Sequence, residues 1–176
     1  MYKGEGMKID KAVIEKCADT ELRLVLEKLL PYQEYCLLEK GDITAYVKVF
    51  ESLGKMPKQL KEWLKIFDGG ELFSVSMFFA DIKKGEEKKL LTYEEVNSVK
   101  FKEENGIPQE IQCFAMTNYG NYYCFANDDE EECIYEWDCE RCGLIIKWDS
   151  FAEWLNEQIE NGQSDIEEGL LSPMKG

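Results

Sequence analysis

The chain has 176 residues, a net charge of −15, and 44% hydrophobic and 12% aromatic residues. This length and composition fit one domain with a sizeable core. The sequence contains no histidine, which excludes Ser-His-Asp and Cys-His catalysis as well as metal sites that need histidine. No glycine-rich phosphate-binding motif is present. The catalytic options that remain are carboxylates, thiols, lysine and tyrosine, and we expect no cofactor.

The N-terminal sequence MYKGEGMKIDKA is polar and does not resemble a signal peptide. No segment approaches the ~20 consecutive apolar residues that a membrane helix requires. The chain has seven cysteines, and an odd number without a secretion signal favours reduced thiols over a disulfide framework. These features predict a soluble, cytoplasmic protein that does not bind a membrane.

Apolar residues at helical spacing predict that the first 70 residues are mainly helical. Pro31 ends the first predicted helix, and Asp68-Gly69-Gly70 is expected to cap the last one. The predicted helical segments are 10–30, 32–39, 42–54 and 57–67.

After Gly70 the pattern changes to short strands rich in aromatic and β-branched residues. Thr92-Tyr93-Glu94-Glu95 and Ser150-Phe151-Ala152-Glu153 are capping boxes that open a short helix toward Lys102 and a final helix ended by Gly162. Residues 83–89 are expected to form a charged turn. The predicted strands are 71–80, 111–117, 121–127, 133–138 and 144–148.

This order of elements predicts an α+β fold, in which helices lie on one side of a mostly antiparallel sheet. The predicted organisation has three parts. Residues 1–41 form an N-terminal helical extension packed on the domain, residues 42–162 form the α+β domain, and residues 163–176 form a flexible tail.

Four motifs in this order resemble the SUKH superfamily, the group of yeast cell-wall-synthesis regulators and bacterial immunity proteins. They are a Pro-led helix that ends near two glycines, a glycine-led aromatic strand, an aromatic-Trp-Asp strand end and a closing Phe-x-x-Trp-Leu helix. Here they are Met56–Leu60 through Phe67–Leu72, Gly120–Phe125, Ile134–Glu140 and Phe151–Leu155. The resemblance implies a binding fold whose bacterial members neutralise a toxin, often a nuclease, by direct contact.

The resemblance covers roughly the last three-quarters of the chain. Residues 1 to about 40 have no clear counterpart in the family pattern. Cys139 stands where the family usually has a histidine, and the aspartate expected soon after the aromatic strand has no single counterpart within Asn127-Asp128-Asp129.

The excess negative charge is concentrated in residues 128–168, which contain 15 acidic residues and only Arg141 and Lys147 as basic ones. Aromatic and aliphatic residues run through this segment, so it is expected to be folded rather than an acidic tail. A folded acidic face repels nucleic acid and anionic membranes and attracts a basic protein. The alternative is a solvated surface that only improves solubility.

The acidic segment supplies the predicted partner-binding residues. Trp137 or Trp148 is expected to be half exposed, and an exposed aromatic residue within an acidic rim is a natural hot spot. Tyr119, at a predicted loop tip, is a similar candidate. The predicted set is Asp128, Asp129, Glu130, Glu131, Glu132, Glu136, Trp137, Asp138, Glu140 and Tyr119.

Cys124, Cys133, Cys139 and Cys142 suggest a four-thiolate zinc site or a redox pair as an alternative. Their spacing does not form the paired knuckles of a zinc ribbon, and the surrounding acidic residues would raise the pKa values of the thiols. The acidic run Asp128-Asp129-Glu130 lacks the alternating spacing and the glycine of a calcium loop. The sequence therefore predicts no metal site.

Together these observations predict a non-enzymatic immunity-type protein, monomeric or weakly dimeric, that blocks a basic toxin domain with an acidic face. The alternative is a regulatory or scaffolding protein that binds an endogenous protein partner.

Overall fold

The computed structural model describes residues 6–127 and 130–174. The described part of the chain contains eight α-helices, a 3₁₀ segment (Leu30–Tyr35) and one sheet of seven strands. The helices are α1 (Lys11–Ile14), α2 (Thr20–Glu27), α3 (Ile43–Leu53), α4 (Lys58–Ile66), α5 (Ile82–Lys88), α6 (Tyr93–Val96), α7 (Val99–Glu104) and α8 (Phe151–Glu167). The strands are β1 (Cys36–Lys40), β2 (Phe67–Leu72), β3 (Val75–Met77), β4 (Ile111–Met116), β5 (Tyr122–Ala126), β6 (Ile134–Asp138) and β7 (Gly143–Trp148).

Each strand of the sheet pairs with its neighbour in the chain, in the order β1-β2-β3-β4-β5-β6-β7, and all six pairings are antiparallel. The predicted α+β class is confirmed. The four strands predicted after residue 110 correspond to β4–β7. Their alternating or densely apolar patterns were sufficient to predict these strands, because each strand pairs with the next one in the chain through a short connection.

Helices cover both faces of the sheet, which corrects the expectation of helices on one side. Tyr122 and Tyr123 are consecutive in β5 and therefore point to opposite faces. Tyr122 packs edge-on against Phe101 of α7, with ring centroids 5.9 Å apart. Tyr123 packs against Trp154 of α8, with centroids 5.1 Å apart. The sheet is therefore the middle layer of three.

The predicted helix 10–30 is two helices, because Asp10 and Asp19 each act as an N-cap. The Asp10 side chain accepts a hydrogen bond from Val13 N at 3.0 Å, and the Asp19 side chain accepts one from Leu22 N at 2.8 Å. An aspartate at this position satisfies a backbone donor that the start of a helix leaves unpaired. The second cap interrupts the helical pattern and begins α2.

The predicted helical turn 32–39 is wrong, since the segment is the 3₁₀ turn followed by β1. Cys36, Leu37 and Leu38 are buried and pair with β2. Gly70, predicted to cap a helix, lies inside β2 with φ +140°, and a Cβ there would lie 2.0 Å from the Leu37 carbonyl oxygen. The glycine is therefore required by the close approach of β1, an interaction that only the tertiary structure supplies.

Four further segments differ from the predictions. The strand 71–80 is the end of β2 followed by β3, and the charged turn 83–89 is α5, capped by Asp81. The helix from Thr92 toward Lys102 begins at its predicted cap but divides into α6 and α7. Gly162 does not end the last helix, which runs to Glu167. A Cβ at Gly162 would lie 2.5 Å from the Phe73 ring, so close packing accounts for this glycine.

The division into an extension, a domain and a tail stays a prediction. Residues 36–40 nevertheless belong to the same sheet as the rest of the strands, and α8 ends at Glu167, so it includes the first five residues of the predicted tail. Within residues 6–127 and 130–174, no helix is both long enough and apolar enough to cross a membrane.

Candidate functional site: an acidic cleft where three helices begin

The N-terminal ends of α2, α4 and α8 meet the loop between β5 and β6 around one concavity of about 230 Å³. We call this concavity the acidic cleft because five carboxylates line it. They are Asp19, Glu21, Glu131, Glu132 and Asp149. A second concavity of about 560 Å³ shares Glu21, Asp149 and Ser150 with the cleft and adds Glu153 together with Lys28. The acidic surface thus extends along the start of α8.

Gln59, in the first turn of α4, ties the three helix ends together. Its Nε2 donates to Asp19 Oδ1 at 3.2 Å and to Glu21 Oε2 at 2.8 Å. Its Oε1 accepts a hydrogen bond from Ala152 N at 2.8 Å. Because one amide contacts α2 and α8 at once, the acidic residues on those helices are held in a defined arrangement.

Two of the five carboxylates, those of Asp19 and Glu132, stabilise helix N-termini. Asp19 caps α2, and Glu132 Oε1 accepts from Lys58 N, in the first turn of α4, at 3.1 Å. Carboxylates are favoured at helix N-termini because the first backbone N–H groups have no partner within the helix and give that end a partial positive charge. Convergence of three such ends therefore allows several carboxylates to stand close together.

Three other carboxylates of the cleft, those of Glu21, Glu131 and Asp149, belong to exposed residues. Glu131 Oε2 lies 3.2 Å from Lys147 Nζ, and this hydrogen bond raises the pKa of Lys147. An exposed ion pair of this kind contributes little to stability. These three residues therefore lie at the surface, and Glu21 also keeps the hydrogen bond from Gln59 Nε2.

The predicted partner-binding residues do not form one cluster. Glu130, Glu131 and Glu132 lie at the β5–β6 end of the sheet, whereas Tyr119, Asp138 and Glu140 lie in or beside the turns at the opposite end. The five residues of β6 separate the two groups by about 15 Å at the usual rise of a strand. Asp128 and Asp129 lie outside the described residues.

Glu136 and Trp137 are buried, with 3% and 5% of their surfaces exposed. Glu136 Oε1 accepts hydrogen bonds from Tyr119 Oη and Asn121 Nδ2, each at 2.9 Å. Trp148 is also buried, so the expectation of a half-exposed tryptophan is wrong for both residues. Trp137 packs in the sheet opposite Tyr122 and does not present an anchor to a partner.

Tyr119 does have an exposed ring, with 67% of its surface accessible. Desolvation and the hydrogen bond to Glu136 raise the pKa of Tyr119 to about 12, so its hydroxyl stays a donor at neutral pH. Asp138 accepts from Glu140 N at 2.9 Å and Arg141 N at 3.0 Å. Its carboxylate therefore shapes the β6–β7 turn.

The cleft also contains acidic residues that the predicted set omits, namely Asp19, Glu21 and Asp149. The sequence signal for the first two was the order Asp19-Thr20-Glu21, which is typical of a helix N-terminus. Asp149 directly precedes the capping box Ser150-Phe151-Ala152-Glu153. No pattern in the sequence indicates that these helix ends meet, because they lie more than 100 residues apart.

The four cysteines considered for zinc do not meet at one place. Cys133 lies before β6, and Cys139 follows its other end. Burial raises the pKa of Cys124, and desolvation, assisted by Asp138, raises that of Cys139. In the part of the chain that the structure describes, no group of three or more Cys, Asp or Glu side chains is arranged to hold a metal ion.

We predict that the purified protein contains no stoichiometric zinc, because Cys133 and Cys139 lie at opposite ends of β6 and burial raises the pKa of the Cys124 and Cys139 thiols, whereas a shared zinc ion needs thiolates close together. Elemental analysis of the wild type and of Cys139→Ser would check this. One zinc per chain that disappears with the substitution would contradict the prediction.

The model of the SMI1 / KNR4 family (SUKH-1) matches residues 44–157. The chain belongs to this family. The match confirms the resemblance drawn from the four motifs, and it spans α3 to the first part of α8. A comparison with curated proteins finds none that matches this chain. Glu131, Glu132, Asp149 and Glu153 of the acidic surface lie inside the family region, whereas Asp19 and Glu21 precede it.

Proposed function

We propose that this SUKH-1 protein is a non-enzymatic immunity protein that neutralises a basic toxin domain by binding it with the acidic cleft. The observation that carries the proposal is the convergence of five carboxylates from the starts of α2 and α8 and from the β5–β6 loop, with Lys58 as the basic residue among the lining residues. The SUKH resemblance supports an immunity role, and the cleft supplies a surface with the matching charge.

Electrostatics indicates what kind of partner would fit. A protein that cleaves nucleic acid binds phosphates with a basic groove, so a surface that presents several carboxylates competes directly for that groove. Glu21, Glu131 and Asp149 are exposed and need not break a helix cap to bind. Complementary charge raises the rate of encounter more than it raises the intrinsic affinity.

The test is a triple reversal, Glu21→Lys, Glu131→Lys and Asp149→Lys, assayed with a basic toxin domain that the wild-type protein neutralises. Asp19 and Glu132 are left unchanged because they cap helices. We expect the variant to lose protection of toxin-expressing cells, and its association rate to fall by about tenfold to a hundredfold. The wild-type rate should also fall as salt rises, since exposed charges are screened beyond ~8 Å at physiological ionic strength.

The matched control is Glu51→Lys, Glu87→Lys and Glu103→Lys, three exposed residues on α3, α5 and α7. Both triple variants change the net charge by the same amount, so a difference between them reports the position of the charge. Melting temperatures verify that both variants fold. Full protection by a folded cleft variant would show that the cleft is only a solubility feature. Binding of an endogenous protein, with no protection from the toxin, would support the regulatory alternative.

A further inference from the structure

The strand β7 forms one edge of the sheet, with β6 on its inner side. Among the described residues, no strand pairs with its outer side. An edge strand carries a row of backbone N–H and C=O groups that a further strand can pair with. The exposed backbone of β7 is therefore a template for another extended chain.

The side chains of β7 do not protect this edge in the usual way. Leu144, Ile145 and Ile146 are 44%, 42% and 43% exposed, and Lys147 is the one charged residue in the strand. Natural edge strands are commonly guarded by charged residues, proline or a covering element. Three consecutive, partly exposed aliphatic residues at an edge are instead typical of a contact surface.

The local geometry leaves both faces of the edge accessible. Ile146 lies opposite Glu136 and Leu144 lies opposite Trp137, so Ile145 is the extra residue of a β-bulge. Beyond the bulge, Lys147 contacts Glu131 and Trp148 Nε1 donates to Glu157. The end of β7 thus leads directly into Asp149 and the acidic cleft.

Charge decides between the possible occupants of this edge. Acidic residues flank β7 at both ends, with Asp138 and Glu140 beside the turn that precedes it and Glu131 and Asp149 beside its last residue. A second copy of the chain would bring another net charge of −15 against these groups. Arg141 pairs with Asp138 and Lys147 pairs with Glu131, which leaves Glu140 at one end and Asp149 at the other as acidic residues with no ion pair to another described residue. An extended segment rich in lysine or arginine would therefore meet complementary charge at both ends and aliphatic surface in the middle.

We propose that β7 is a docking edge at which a basic, extended segment of the partner adds an eighth strand to the sheet. Backbone hydrogen bonds would hold the segment, and Leu144, Ile145 and Ile146 would contact its apolar side chains. This inference rests on the proposed function in one respect, namely that the partner is basic. What it adds is the way in which the partner binds, as an extra strand next to the acidic cleft.

The test uses a capped synthetic peptide of alternating lysine and valine, long enough to span β7. We expect the peptide to slow hydrogen exchange of amides within residues 143–148. The same peptide N-methylated on two adjacent central residues cannot pair through either edge, and its Kd should be weaker by about tenfold or more, because several backbone hydrogen bonds are lost. A peptide of alternating glutamate and valine should not bind.

The protein variant is Ile146→Lys, and its matched control is Ile43→Lys, since Ile43 is 63% exposed on α3. The first should weaken binding of the lysine–valine peptide by about tenfold, through lost apolar contact and added repulsion, and the second should not. Equal binding of the N-methylated peptide, protection outside β7, or no binding by the unmodified peptide would each overturn the inference. So would a concentration-dependent dimer through β7 in sedimentation.

The two proposals fail separately. If the cleft reversal abolishes protection but the peptide does not protect β7, the proposed function stands and strand addition is wrong. If the peptide protects β7 while the folded cleft variant still neutralises the toxin, the docking edge stands and the role of the cleft is wrong.

Discussion

Trp154→Ala is expected to destabilise the protein by about 3–5 kcal/mol, the usual cost of removing a large aromatic side chain from a core. Trp154 is fully buried between the sheet and α8. Its ring lies 5.0 Å from that of Phe114, 5.1 Å from Tyr123 and 5.2 Å from Phe151, measured between centroids. Removing it leaves a cavity that three rigid rings cannot fill without leaving their own contacts.

Thermal and denaturant unfolding would measure this loss, which corresponds to roughly 10 °C in melting temperature for a chain of this size. Trp154→Phe should cost less because it keeps an aromatic ring in the same space. Leu24→Ala, at an exposed position of α2, should stay within about 0.5 kcal/mol of the wild type. A loss below about 1 kcal/mol for Trp154→Ala would contradict this account of the core.

Asp68→Asn is expected to change the pH dependence of stability. Asp68 is almost completely buried at the start of β2. Its Oδ1 accepts from Ala80 N at 2.7 Å, while its Oδ2 has no hydrogen-bond partner among the described residues. Desolvation raises the pKa of Asp68 from 3.8 to about 6, and the backbone and Lys84 oppose this shift only in part.

The direction of the effect follows from the raised pKa. Between pH 4 and pH 6 the folded state holds a proton on Asp68 that the unfolded state has released, so the free energy of unfolding falls as pH rises. Above about pH 6 both states are ionised, and the penalty is constant at about 3 kcal/mol. Asparagine keeps the acceptor for Ala80 N but carries no charge, so it does not suffer this penalty.

We therefore expect the difference in free energy of unfolding between Asp68→Asn and the wild type to grow by up to about 3 kcal/mol in favour of the variant from pH 4 to pH 7.5. Urea unfolding at a series of pH values measures this difference. Any fixed cost of burying the amide shifts the whole curve and leaves its slope unchanged. A difference that is the same at every pH would show that folding does not perturb Asp68.

The sequence by itself determined the elements whose signals are local. The hairpins β4–β5 and β6–β7 and the start of α8 at Ser150 were predicted because their patterns and capping residues lie within a few positions of one another. The four motifs were sufficient to predict the family that the match over residues 44–157 then showed. These features depend on short-range chemistry and on the order of residues along the chain.

The tertiary structure decided what depends on distant contacts. The segment 36–40 became a strand because β2 offers it a partner, and Gly70 became a strand residue because β1 passes within contact of it. The acidic residues predicted to bind a partner lie at two ends of the sheet, because β6 separates Glu130–Glu132 from Asp138 and Glu140. Asp19 and Asp149 line the same cleft because the starts of α2, α4 and α8 meet, and Gln59 of α4 hydrogen-bonds to both Asp19 and Ala152. A linear pattern cannot show which ends meet, since that is set by how buried faces pack against one another.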